Sequence, residues 1–271
     1  MLILRSPIRE TLRSPMQDMV EAPFDPNTPS TIANLLLWFD GDDASTIDAV
    51  NDNDPIGLQG DKSVNSLDAT QTDPLIKPTY KIGERNGRSV VRYEAGDFLS
   101  VGNDPLLETN DFSIFVVMQR IAPLIDGTFI AVERQEVSPF LSGYFLYTVG
   151  DNLVLSAIRT GGQTSITSSG VSFPANEWSI LTATKVSDVA LLYKNGTQIA
   201  SFPTGFASPV IYDTAPRSTP PPLADTRLGH GVNRFAFRGD LAEVAIYSRS
   251  VSDSERDTWW DYASAKWAIS L

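Results

Sequence analysis

The chain has 271 residues, 42% of them hydrophobic and 20% charged, which is the make-up of a globular protein long enough for one large domain. Its formal net charge of −12 repels phosphate backbones and anionic lipid, so nucleic acid and membrane surfaces are excluded as expected partners. With no cysteine, a disulfide framework, a thiolate metal site and a cysteine nucleophile are excluded too.

The N-terminal run Met1-Leu2-Ile3-Leu4 is too short for export or membrane insertion, so synthesis in the bacterial cytoplasm without a signal peptide is expected. Arg5-Ser6-Pro7-Ile8 then recurs as Arg13-Ser14-Pro15-Met16, and Pro23, Pro26 and Pro29 follow. No hydrophobic period survives such a segment, and each X-Pro step favours extended backbone. Residues 1–30 therefore read as an extended arm that orders only against another surface, with a floppy leader as the alternative. Arg5, Arg9 and Arg13 put positive charge at one end of an acidic chain, with Ile8, Leu12 and Met16 as apolar anchors between them. That pattern suits an assembly anchor on a negatively charged docking surface.

From Asn34 onward the apolar runs are short, β-branched or aromatic and bounded by turn residues, the pattern of strands. Strands are predicted at Leu35–Asp40, Ser89–Tyr93, Phe98–Val101, Phe112–Arg120, Thr128–Arg134, Gly143–Val149 and Leu153–Arg159. Thr164–Ser168, Ser179–Val186, Val189–Lys194, Gln198–Phe202, Arg227–Gly229, Phe235–Arg238 and Leu241–Ser248 follow. Gly150-Asp151-Asn152 and Asn195-Gly196 are hairpin turns, so neighbouring strands should be antiparallel. Thr214–Asp225, with Pro220-Pro221-Pro222, cannot sustain a hydrogen-bond ladder and is expected to be a surface loop. Ser252 with Glu255 three residues on is a capping box, opening a helix that carries Trp259, Tyr262, Ala263 and Trp267 on one face. The expected fold is all-β: a two-sheet antiparallel jelly-roll sandwich over residues 31–271, one C-terminal helix, and the extended N-terminal arm.

Several segments carry a family resemblance. They are Leu37-Trp38-Phe39-Asp40 with Asp43-Ala44-Ser45-Thr46, Asp61-Lys62-Ser63, Ala69-Thr70-Gln71, Pro78-Thr79-Tyr80, Asn86-Gly87 and Val90-Val91-Arg92-Tyr93. Leu192-Tyr193-Lys194-Asn195-Gly196, Gly239-Asp240-Leu241-Ala242-Glu243-Val244-Ala245-Ile246-Tyr247 and the helix ending Lys266-Trp267 complete the series. In this order they resemble the laminin-G-like domains of the concanavalin A-like lectin/glucanase superfamily, as found in bacteriophage and bacterial surface proteins. One departure is that the usual Trp and Gly around Asp61-Lys62-Ser63 are replaced by Leu58 and Val64. The resemblance implies the jelly roll and, by analogy, a binding role.

A hydrolase on this fold needs two carboxylates facing one cleft, and the alternating acidic strand of the glucanase relatives is missing. Glu133 and Glu136 are three apart, hence on opposite faces of a strand, and Glu243 stands between apolar neighbours and reads as structural. His230, the single histidine, lies between Gly229 and Gly231 and reads as a turn residue rather than a catalytic base. No catalytic residue is assigned. Asp40, Asp42 and Asp43, with Asp48, Asp52 and Asp54 beyond them, offer hard oxygen ligands for Ca²⁺, or else form a solvated acidic loop. No other cofactor is expected.

Sugars present apolar C–H faces ringed by hydroxyls, so candidates for carbohydrate binding are aromatic residues with amide or guanidinium neighbours. These are Tyr144, Asn152, Asn176, Trp178, Tyr212, Asn233, Arg234 and Phe235. The resulting expectation is a non-enzymatic structural and carbohydrate-recognition component on the surface of a phage or phage-like particle such as a gene transfer agent. It would form a head or tail spike or fibre, trimerise for avidity, contact capsid, tail or fibre proteins, and bind host-surface glycan. The alternatives are a stand-alone lectin-like adhesin and a degenerate glycoside hydrolase.

Overall fold

The computed structural model describes residues 28–94, 96–123, 126–135, 141–159, 162–206, 225–231 and 235–271. The chain opens with a short helix α1 (Thr28–Thr31), followed by β1 (Leu35–Asp40), β2 (Leu58–Gln59), β3 (Ala69–Thr70), β4 (Thr79–Arg85), β5 (Arg88–Tyr93) and β6 (Leu99–Gly102). Next come β7 (Phe112–Arg120), β8 (Gly127–Gln135), β9 (Leu141–Val149), β10 (Asn152–Arg159), β11 (Gly162–Thr167) and β12 (Trp178–Val186). The chain ends with β13 (Val189–Lys194), β14 (Thr197–Phe202), β15 (Asp225–Leu228), β16 (Gly239–Tyr247) and helix α2 (Asp253–Trp267).

Among the described residues these strands form two eight-stranded sheets, and every described pairing is antiparallel. The first sheet runs β14-β13-β12-β7-β16-β5-β4, with β1 taking over from β5 along one edge of β16. The second runs β11-β10-β9-β8-β15-β6-β3-β2. This is the expected two-sheet sandwich with one C-terminal helix.

Alternation along the strands sets the layers. Leu37 and Phe39 of β1, Ile114 and Val116 of β7, and Leu146 and Leu155 of β9 and β10 fill the space between the sheets. Trp38, Phe115, Val117, Ala245 and Tyr247 face the other way and meet Trp259, Trp260, Tyr262 and Trp267 of α2. The stripe predicted for the terminal helix is thus the wall of a second core, in which Phe115 stacks on Trp259 at 4.4 Å between ring centroids.

Three strand predictions coincide with the observed limits, and most others differ by one or two residues. β2, β3 and β4 were not predicted: two are dipeptides, and β4 reads Thr-Tyr-Lys-Ile-Gly-Glu-Arg, with a break in pairing between Lys81 and Arg85. Phe235–Arg238 is not a strand, because Ala236 makes a single bridge to His230. The arm boundary shifts as well. Thr28 and Pro29 are buried, and the Tyr247 hydroxyl donates to the Pro29 carbonyl at 2.9 Å, so the sandwich takes in the last residues of the expected arm. Arg5, Ile8, Arg9, Leu12, Arg13 and Met16 lie outside the described residues.

Candidate functional site

The sandwich has two outer faces with opposite character. On the first sheet a bulge in β16 turns both Ala242 and Glu243 toward α2, while Leu241 and Val244 point between the sheets. Glu243 is 1% exposed, and its carboxylate accepts from Trp38 Nε1 at 2.8 Å, Tyr262 Oη at 2.7 Å and Trp267 Nε1 at 2.9 Å. Lys266 Nζ stands 3.4 Å away and also reaches Asp40 at 2.7 Å, the residue opposite Glu243 in the β1–β16 register. Burial pushes the Glu243 carboxyl above its ordinary range, and Lys266 pulls it back down. With its lone pairs satisfied beneath a helix, this group is bound into the scaffold.

The helix is held at both ends. Ser252 and Glu255 form the predicted capping box, and Arg249 and the Ser252 N–H and hydroxyl draw the Glu255 carboxyl down to about 2. At the other end the Lys266 and Trp267 carbonyls accept from Asn86 Nδ2, Arg88 Nε and Arg85 Nε at 2.7–3.0 Å, all from the β4–β5 hairpin. Asn86 and Gly87 sit at φ 51° and 72°, the positive values that a two-residue turn of this kind needs.

The acidic stretch is organised around the chain's own cations. Asp40 and Asp43 both hold Lys62, at 3.0 and 2.8 Å, and Asp42 holds Arg88 at 2.6 Å. Among the described residues no cluster of three or more potential ligands could hold a metal ion. Asp61 accepts from the backbone N–H groups of Trp38, Ser63 and Leu67 at 2.8–2.9 Å, so one carboxylate fixes the loop after β2. Leu58 and Val64, the departures from the family pattern, are 37% and 95% exposed and take no part in it.

The second sheet has a different outer face. On β9 and β10 the residues alternating with the inter-sheet core are themselves aromatic or apolar: Phe145, Tyr147, Val154 and Ile158, joined by Ala131 of β8. Phe235 is 45% exposed, and its ring stacks on Tyr147 at 6.2 Å between centroids. Hydroxyls and an amide adjoin these rings: Tyr147 Oη lies 3.2 Å from Ser156 Oγ, which meets Ser165 Oγ at 2.6 Å and Gln163 Nε2 at 3.0 Å. Across the sheet Asp225 and Glu133 are direct cross-strand neighbours, and Arg227 donates to Asp225 at 2.6 Å while its guanidinium lies 4.1 Å over Phe98. Asp225 also accepts from the Ser100 hydroxyl at 2.5 Å. Burial, then Arg227, hold the neighbouring His230 imidazole below its ordinary value, so it is neutral at pH 7 despite opposing influences from Gly231 and Glu133.

Among the described residues predicted for carbohydrate binding, Phe235 alone lies on this face and is exposed. Tyr144 is fully buried between the sheets, stacked on Phe112 with its hydroxyl donating to the Leu107 carbonyl, because alternation along β9 turns it inward. Trp178 opens β12 and packs into the core beneath α2. Asn176 lies beside the buried Arg120, which also reaches the turn that precedes Asn152. There Asn176 N donates to the Arg120 carbonyl at 2.7 Å, and Arg120 donates to the Gly150 carbonyl at 2.8 Å. Tyr212, Asn233 and Arg234 lie outside the described residues. Ser156, Gln163, Ser165, Asp225 and Arg227 were missed. A signal existed in β9 and β10, where apolar residues on both faces mark strands that are buried on both sides.

Residues 94–255 match a laminin-G-like family model of the Concanavalin A-like lectin/glucanases superfamily. The chain belongs to this superfamily. The match begins after β5, so the strands that complete the first sheet lie before it, along with several segments of the sequence resemblance. No curated protein matches the chain in sequence. Similar folds include the CBM40 domain of the Ruminococcus gnavus IT-sialidase, at TM-score 0.50 and 11% identity over 61% of this chain and 93% of that one. The same domain bound to α2,3-sialyllactose gives 0.49 and 11%, over 61% of this chain and 92% of that one. A Trypanosoma rangeli sialidase in complex with the inhibitor DANA gives 0.51 and 11%, over 83% of this chain and 32% of that one. At such identities the likeness is one of fold alone, and the site must be argued from this chain's own residues.

Proposed function

We propose that this chain is a non-enzymatic carbohydrate-recognition domain whose ligand lies on the outer face of the second sheet. The observation that carries this is the contrast between the faces. One lies under α2 over the hydrogen-bonded Glu243 carboxylate, while on the other Phe235, 45% exposed, stacks on the buried Tyr147 with the Ser156 and Ser165 hydroxyls and the Gln163 amide alongside. An aromatic ring with polar groups at its rim complements the C–H face and hydroxyls of a sugar. The superfamily fold supports the same reading, and the sialyllactose bound by the Ruminococcus module is one example of a glycan held on such a fold.

The test is binding of the full chain to a panel of immobilised oligosaccharides and bacterial surface polysaccharides, repeated with Phe235→Ala. Binding that falls at least about tenfold in the variant is expected, given that aromatic stacking contributes about 1–3 kcal/mol. Unchanged binding places the ligand elsewhere. Release of reducing sugar from any bound glycan would revive the glycosidase alternative, with Asp225 and Glu133 as the carboxylates to test.

A finer reading places the domain on a phage or phage-like particle, anchored by its N-terminal arm and trimeric for avidity. It is supported by the sequence resemblance to phage surface domains and by the repeated Arg-Ser-Pro units at residues 5–7 and 13–15. Mass spectrometry of purified particles tests the location, and absence of the chain from every particle fraction favours a stand-alone lectin. Light scattering of the full chain tests the trimer.

A further inference from the structure

We infer that an ordered water molecule is built into the core of the sandwich, beneath the bulge of β16, as the hydrogen-bond partner of the buried Tyr93 hydroxyl. A small cavity lies between the sheets there. Among the described residues it is walled by Tyr93 of β5, by Gln59 and Leu228 of the second sheet, and by the run 241–244 that contains the bulge. Leu241 and Val244 point into the core, whereas the side chains of Ala242 and Glu243 are turned toward α2, so the bulge presents main chain to the cavity.

Tyr93 is fully buried, and its hydroxyl has no partner among the described residues, although the hydroxyls of Tyr144, Tyr247 and Tyr262 all reach carbonyl or carboxylate acceptors. Burial, reinforced by Asp97, pushes the Tyr93 hydroxyl above its ordinary value, so it stays a protonated donor. Leaving such a donor unpaired carries its full desolvation cost. The side chain is not free to swing toward another acceptor, because its ring lies so close to Gly229 that a Cβ added there would collide with Tyr93 Cδ1. A buried water is stable where a site has room for one molecule and two or more polar partners. The cavity has that room. Tyr93 Oη donates, the amide of the buried Gln59 both donates and accepts, and the main chain of Ala242 stands where the β7 register skips a residue.

Two measurements on the full chain test this. A high-resolution crystal structure should show one well-ordered water within about 3.2 Å of Tyr93 Oη; a cavity without solvent density, or solvent out of hydrogen-bond reach of that oxygen, overturns the inference. The variant Tyr93→Phe reads the same question as the sign of a stability change. If the hydroxyl holds a water, the variant loses that hydrogen bond and leaves the water short of a partner, and the melting temperature should fall by about 2 °C. An orphan hydroxyl gives the opposite sign, since removing an unpaired buried donor relieves its desolvation cost. An unchanged or raised melting temperature therefore overturns the inference, and it does so without bearing on where the glycan binds.

Discussion

Lys266→Met tests whether the network under α2 holds the sandwich together. The substitution keeps the length of the apolar stem and removes the ammonium that lies 2.7 Å from Asp40 and 3.4 Å from Glu243. Asp40 keeps Lys62, but Glu243, 1% exposed, keeps only neutral donors. Breaking a buried ion pair from one side costs about 3–5 kcal/mol. Unfolding entropy for 271 residues is about 0.6 kcal/mol/K, so the melting temperature should fall by roughly 5–9 °C. The loss also has a pH signature. A carboxyl raised above its ordinary 4.5 takes up a proton on folding, so stability declines as pH rises from that value through the folded one. Without Lys266 the folded value climbs further, and the deficit against wild type should be larger at pH 8 than at pH 5. Melting followed by circular dichroism at both pH values decides the matter. A variant within about 2 °C of wild type at pH 8 would refute the reasoning, since that allows only about 1 kcal/mol for the ion pair.

Gly143→Ala should destabilise the fold by more than about 3 kcal/mol in denaturant unfolding, because an added Cβ would stand 1.9 Å from the Val132 carbonyl oxygen at a φ of 132°. Glu255→Gln should lower stability at pH 7. The deficit should vanish as pH falls from 4.5 to about 2, the interval over which the wild-type carboxylate is protonated and its gain is lost; a deficit that persists at pH 2 contradicts the link to Arg249 and Ser252. Tyr144→Phe should cost about 1 kcal/mol for one lost hydrogen bond and leave glycan binding unchanged on the same panel of immobilised oligosaccharides.

The residues most legible in the sequence turn out to be those of the scaffold. Trp38, Asp40, Asp61, Lys62, Glu243 and Trp267, which carry the family resemblance, are linked by hydrogen bonds and ion pairs over the outer face of the first sheet. Together they meet one requirement, that a helix be held onto a sheet with the buried Glu243 carboxylate hydrogen-bonded on both sides. That explains why the resemblance specified the fold while leaving the ligand open. Glu243 reads as structural in sequence, yet its partners at 38, 262, 266 and 267 come together only on folding. The second-sheet face escaped for a related reason. Its residues come from β8, β9, β10, β11 and β15, and they meet only through pairing registers that local sequence does not encode. Tyr144 and Trp178 look like exposed platforms one residue at a time. Strand alternation, already readable from Leu146 and Leu155, turns Tyr144 inward.

The central claim is that the face opposite α2 holds the glycan. Amide chemical-shift mapping of the isotope-labelled full chain, titrated with the tightest-binding oligosaccharide, tests it most directly. Shifts concentrated on β8 to β11, on β15 and around Phe235, with α2 and the β4–β5 hairpin silent, are the predicted result. Shifts concentrated on α2, or at the end of the sandwich around Asn152 and Asn176, would contradict it.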